Sequence, residues 1–145
     1  MWKISQYDLT SSVATKQSIT TVLKIICTNN SICVTNVYAP HRVVKQIKML
    51  QSISKLLDSI HFPFKIVACD FNMVINLMEK KGGIRKLDKD FEAFQSTIEG
   101  LSLIVIPTNN GIFIWNNKRG GEIQISFRLD RFLLSEVIYV TSWET

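Results

Sequence analysis

Asp70 and Asn72 stand two residues apart, just past the apolar run Phe64-Lys65-Ile66-Val67-Ala68-Cys69, where a chain leaving a buried strand can project side chains into a cleft. A carboxylate there can take a proton from water or bind a divalent cation. An amide beside it can orient the attacking water or a phosphate oxygen without adding repulsive charge. The competing reading is a turn, because Asp and Asn at strand ends hydrogen-bond their own backbone. Asp130 lies within Arg128-Leu129-Asp130-Arg131-Phe132-Leu133-Leu134, and an acid in an apolar strand is costly unless it is paired or ligated. Either it forms an ion pair with Arg128 or Arg131 at a sheet margin, or it fixes the tautomer of a catalytic histidine. Tyr38 closes a strand before Ala39-Pro40; its phenol can donate to a phosphate, or its ring can sit in the core with a wet tip. Phe113 and Trp115 flank Ile114 and share one face of an extended segment, which either stacks on a nucleotide or packs inside.

The remaining reactive side chains support less. His41 and His61 are the only histidines, and neither has a metal-ligating partner at helical or hairpin spacing. Cys27, Cys33 and Cys69 are odd in number and show no CxxC spacing, so neither a disulfide framework nor a zinc site is expected, and a reducing compartment fits. They also lack a neighbouring base that would make a nucleophile.

The elements that must carry these groups follow from periodicity. Residues 21 to 39 read as a hairpin, Val22 to Cys27 and Ile32 to Tyr38, broken at Asn29-Asn30-Ser31 and ended by Pro40. Val44, Ile47, Leu50, Ile53, Leu57 and Ile60 recur every three or four positions and predict an amphipathic helix ended by Pro63. A buried strand over 64–69 delivers Asp70. A second helix is expected from Asp88, as its cap, to Glu99, with Phe91, Phe94 and Ile98 on one face and Gly100 closing it. Strands are then expected at 101–106, 112–115, 123–134 and 137–140, with turns at Thr108-Asn109-Asn110-Gly111 and Lys118-Arg119-Gly120-Gly121. Strands interleaved with two helices imply a mixed α/β layer architecture, most simply one domain.

Composition sets the outer bounds. A chain of 145 residues that is 46% hydrophobic can bury a substantial core, which excludes disorder. Its 17 basic against 12 acidic residues give a formal charge of +5, compatible with a polyanion such as nucleic acid and equally with a soluble surface. The densest basic cluster, Lys80, Lys81, Arg85, Lys86 and Lys89 around Gly82-Gly83, reads as a loop that touches phosphate or simply solvent. Neither a secretory leader nor a run of about 20 apolar residues is expected, so no membrane partner is implied, and the expected location is intracellular, nuclear or cytoplasmic.

Taken in order, Asn36-Val37-Tyr38-Ala39-Pro40, Cys69-Asp70-Phe71-Asn72, Gly82-Gly83, Gly111 to Asn117 and Arg128 to Leu133 resemble the endonuclease/exonuclease/phosphatase superfamily. Within it, the chain is most similar to the apurinic-type endonuclease domain of plant LINE (non-LTR) retrotransposons. The resemblance implies an α/β (α+β) fold, a partial four-layer αββα sandwich of the DNase I-like type, and Mg²⁺-assisted hydrolysis of a phosphodiester, with DNA as partner. It implies that Asp70 activates water and ligates the metal, that Asn72 orients the water or the phosphate, that Tyr38 contacts the phosphate and that Asp130 holds a histidine. Phe113, Trp115 and Arg131 are expected to contact substrate.

The chain also departs from the family pattern. No Glu lies among the 37 residues before Tyr38, where the family's metal-binding Glu belongs, and no Ser-Asp-His segment follows Asp130. Cys69 replaces a glycine and Ile114 a threonine. The expectation is a single incomplete domain over residues 1–145, truncated at both ends. Losing such a histidine or carboxylate removes several kcal/mol of transition-state stabilisation, roughly 10³-fold in rate, so little or no hydrolysis is expected. The alternatives are a non-catalytic nucleic-acid-binding module and a phosphatase-type member of the same superfamily.

Overall fold

Three consecutive segments run extended, and in the second and third burial alternates with period two, which marks one covered face of a sheet. In the computed structural model, which describes residues 6–83, 89–107 and 115–141, with 69, 89, 90, 115, 122 and 139–141 described by backbone alone, these segments are β1 (Tyr7–Ala14), β2 (Ser18–Ile25) and β3 (Ser31–Tyr38). They form an antiparallel meander, β1 bulging between Leu9 and Ser11. β4 (Phe64–Asp70) lies parallel to β3. A parallel neighbour needs a crossover, and helix α1 (Val43–Ser59) supplies it.

The sheet continues through β9 (Asp130–Ser135), antiparallel to β4, to the edge strand β6 (Leu103–Val105), in the order β1-β2-β3-β4-β9-β6. Helix α2 (Lys89–Gly100) precedes β6. A small second sheet holds β5 (Lys80–Lys81), β8 (Ser126–Phe127) and β7 (Trp115–Asn116) in the order β5-β8-β7. The core lies between the large sheet and the two main helices: Cys33, Val37, Val67 and Leu133 from the strands meet Leu50, Ile53 and Leu57 of α1 and Phe94 and Ile98 of α2. Thr20 and Thr35 are buried on the same face, where their hydroxyls bond each other at 2.9 Å.

Several expectations shift. The α1 face that is buried runs through Gln46, Met49, Leu50, Ile53 and Leu57, while Val44 is exposed. The phase moves because the Gln46 amide donates to the Asn72 carbonyl at 3.0 Å, turning that side of the helix toward the loop after β4. Gly100 remains helical, and the left-handed residue beyond the end of α2 is Ser102 at φ 50°; Asp88 lies outside the described residues. The run 123–134 is divided into a one-turn 3₁₀ segment (Gly121–Ile123), β8 and β9. Residues 137–140 are not a strand but part of a short helix, α3 (Glu136–Thr141). An apolar run that short does not distinguish strand from helix, and pairing ends where the Glu136 amide bonds the Ser102 carbonyl. β1 carries too little apolar character to be read as a strand in advance.

Candidate active site

Strand register assembles the site. β3 and β4 end side by side and β9 begins beside the end of β4, so Tyr38 pairs with Asp70 and Asp70 pairs with Asp130. Directly paired residues project to the same face, and the two acids, opposite one another on antiparallel strands, have Cβ atoms about 5 Å apart. Tyr38 is 64% exposed, with its ring available to a ligand rather than in the core. The next row on this face is Asn36, Ala68 and Phe132.

Two like charges opposite each other repel. Asp130 is pushed above the ordinary carboxylate range, first by the desolvation its neighbours impose although the residue is exposed, then by the Asp70 charge, while Arg131 pulls it down. An ion pair of Asp130 with Arg128 or Arg131, one of the two readings of this acid, is not what forms: both arginines pair with Glu79, at 3.8 Å and 3.0 Å. No hydrogen bond joins Asp130 to either histidine among the described residues.

Asn72 sits in the left-handed region at φ 49°, a conformation Asn tolerates better than most residues. Its backbone N–H donates to Asp70 Oδ1 at 2.8 Å, and its side-chain amide donates to the Ala39 carbonyl. The turn-forming reading of Asp70 and Asn72 is therefore realised, and it coexists with the row of acids because it uses one carboxylate oxygen. Asn72 ties the loop to the end of β3, and its Nδ2 points at protein rather than at a ligand.

Arg131, expected to contact substrate, is 1% exposed and projects to the helix side of β9. Nη1 donates to both oxygens of Glu79 at 3.0 and 3.1 Å, and Nη2 donates to the carbonyls of Met73 and Arg128. Its guanidinium lies 5.3 Å from the centre of the Phe94 ring, which in turn packs on Phe71 at 4.8 Å. A group so enclosed touches no substrate; burial pulls its pKa down and Glu79 opposes that. Glu79 also accepts from the Ile75 amide at 2.6 Å, so the pair holds the loop from 71 to 79 at two points. Sequence reading missed Glu79 and Gln46 as parts of the site, and only the phase of α1 carries a trace of Gln46.

Phe113 lies outside the described residues, as do Arg85 and Lys86, and Trp115 is described by backbone alone in β7. Of the basic cluster, the Lys80 ammonium lies 5.6 Å from the Phe127 ring and Lys81 is exposed. Gly82 is required by the backbone: at φ +81° a Cβ would stand 2.0 Å from the Gln124 carbonyl oxygen.

Among the described residues no three His, Cys, Asp or Glu side chains gather in one place, and no helix is long and apolar enough to cross a membrane. Asp70 and Asp130 nonetheless fit a hard cation, because Mg²⁺ is commonly held by one or two carboxylates with water and substrate phosphate completing its shell. Desolvation first and the Asp70 charge second raise Asp130, and a cation between the acids would relieve the second.

No protein-family model and no curated protein matches the sequence. Solved structures do match, and they show the fold: a mixed α/β arrangement matching that of DNase I-like endonuclease/exonuclease/phosphatase proteins. The endonuclease domain of TRAS1, a telomere-specific non-LTR retrotransposon, superposes with a TM-score of 0.71 at 16% identity, over 92% of this chain and 58% of that one. A family protein from Bacteroides thetaiotaomicron gives 0.62 at 12%, over 93% and 53%. The mannosyl-6-phosphatase Bt3783 of the same organism gives 0.56 at 14%, over 93% and 55%. The chain thus spans little more than half the length of each.

Proposed function

We propose that the chain carries part of the phosphodiester-hydrolysing site of a retrotransposon-type, Mg²⁺-dependent DNA endonuclease, and that residues 1–145 alone hydrolyse DNA feebly or not at all. The observation that carries this reading is the row Tyr38, Asp70, Asp130 set by strand register at one end of the sheet. In it, Asp70 accepts a proton from the attacking water or fixes its position, and Tyr38 donates a hydrogen bond to a phosphate oxygen. Asn72 holds the Asp70 loop in place through Ala39. Bound at Asp70 and Asp130, Mg²⁺ would polarise the phosphoryl oxygen and neutralise the leaving oxyanion. Low activity follows because no histidine and no third carboxylate joins the row among the described residues, and a missing member of such a unit costs about 10³-fold or more.

Supercoiled plasmid nicking in Mg²⁺ tests this. The expected result is conversion at background level, unchanged by Asp70→Ala. Robust nicking that Asp70→Ala abolishes would refute the claim of feebleness while upholding the site; robust nicking insensitive to Asp70→Ala would overturn both.

A further inference from the structure

The buried face of α1 is apolar at Met49, Leu50, Ile53 and Leu57 and polar at one position, Gln46, beside the loop that follows β4. Gln46 is 2% exposed. Its Nε2 donates to the Asn72 carbonyl at 3.0 Å, while Oε1 is buried and meets no donor among the described residues. A buried acceptor left without a donor costs at least as much free energy as one net hydrogen bond returns, and ordering a long polar side chain costs more again. For stability alone, methionine would serve this position as well. The return lies in what the amide holds.

What it holds is one side of a left-handed residue. Asn72 stands at φ 49°, a conformation that an L-residue keeps only where its surroundings restrain it. Three bonds restrain it. The N–H donated to Asp70 Oδ1 at 2.8 Å fixes the peptide plane before its Cα, the side-chain amide donated to the Ala39 carbonyl fixes the side chain, and Gln46 fixes the plane after. No other donor reaches the Asn72 carbonyl among the described residues. The Asp70 backbone is held independently, by its pairing with Tyr38 and Asp130 and by the Ala39 N–H on its carbonyl at 2.9 Å. Its carboxylate, in contrast, accepts from the Asn72 N–H alone among the described residues. Release of the plane that Gln46 fixes therefore loosens the carboxylate and leaves the strand intact.

We propose that Gln46 is a positioning residue for the acidic row. From the buried face of α1 it locks Asn72 in the left-handed turn, and the turn holds the Asp70 carboxylate in the orientation that meets a divalent cation. The part that concerns the cation rests on the reading of Asp70 given above; the lock itself does not.

Gln46→Met in the 145-residue chain keeps the length of the side chain and removes both the donor and the unpaired oxygen. The urea midpoint should equal or exceed that of the wild type. Hydrogen exchange at the Asn72 amide should be about tenfold faster, and Mg²⁺ affinity, from titrations followed by NMR, about tenfold weaker. Ile53→Val, on the same buried face, should do the reverse, lowering the urea midpoint and leaving both site readouts unchanged. Site readouts that Gln46→Met leaves unmoved, or that follow overall stability in both variants, overturn the proposal. The unmutated chain gives a second measurement. Coupling is reciprocal, so saturating Mg²⁺ should slow Asn72 exchange about tenfold; exchange indifferent to bound Mg²⁺ overturns the link between lock and cation. A chain that binds no Mg²⁺ defeats the reading of the acidic row instead, and Asn72 exchange in Gln46→Met then decides alone whether Gln46 is the lock.

Discussion

Replacing Arg131 by Met keeps much of its length and removes its charge, and the cost can be worked from its partners. The substitution strips Glu79 of two bonds at 3.0 and 3.1 Å and leaves the carbonyls of Met73 and Arg128 without that donor. Glu79 keeps the Ile75 amide and a distant Arg128 at 3.8 Å, yet remains buried. Breaking a buried pair from one side costs about 3–5 kcal/mol. The midpoint of urea unfolding, followed by circular dichroism at fixed protein concentration, should fall by about 2 M for a slope near 2 kcal/mol/M. Removing both charges is close to neutral in many proteins, so Glu79→Met combined with Arg131→Met should cost at least ~2 kcal/mol less than the sum of the single changes. If Arg131→Met costs under about 1 kcal/mol on the same scale, the guanidinium is not committed to the loop and is available to a ligand, as its place in the sequence suggested.

Other consequences are equally direct. Gly82→Ala should destabilise by more than the roughly 1–2 kcal/mol of a left-handed alanine, because its Cβ meets the Gln124 carbonyl; Gly120→Ala, with nothing within 4 Å, is the control, and equal unfolding midpoints would contradict the account. Asp130→Asn should stabilise at neutral pH. The folded-state pKa of Asp130 is raised, so the unfolded chain releases this proton first, and wild-type stability falls as pH climbs from the ordinary carboxylate range to the elevated folded value. The advantage of Asn must therefore fade below that range; a pH-independent difference would rule out the raised folded-state pKa. Mg²⁺ should raise the melting temperature of the wild type and not of Asp70→Asn, and an equal shift in both would remove the metal from the acid row.

The parts of this fold that read clearly in advance are those where one physical pattern dominates. Helix α1 announces itself by its 3.6-residue apolar period and β4 by a short apolar run cut off at Asp70. Residues 137–140 mislead because their β-branched content says nothing about pairing partners, and β9 already has β4 and β6 on its two sides. The site was legible as residue types at strand ends. Its geometry was not, because Tyr38 reaches Asp70 only through a parallel crossover and Asp130 arrives from 60 residues further along the chain by register alone. Glu79 was invisible for a different reason: an acid between Met78 and Lys80 looks like solvent-facing loop until Arg131 is found opposite it.

Burial of Arg131 on the helix side of β9 bears on what holds the acids in place. Successive residues of a strand face opposite sides, so Arg131 lies beneath the sheet while Asp130 lies above it, and the buried positive charge lowers the Asp130 pKa against the repulsion of Asp70. The same guanidinium grips the Met73 carbonyl and, through Glu79, the Ile75 amide, fixing the loop whose first turn closes on the Asp70 carboxylate. A sheet selected only for stability would not set two carboxylates opposite each other. The chain does so, with a core arginine on the far face, and such a local conflict is where a functional site is to be sought. Arg131 thus acts on the acids from the helix side of the sheet, through its charge and through the loop it holds.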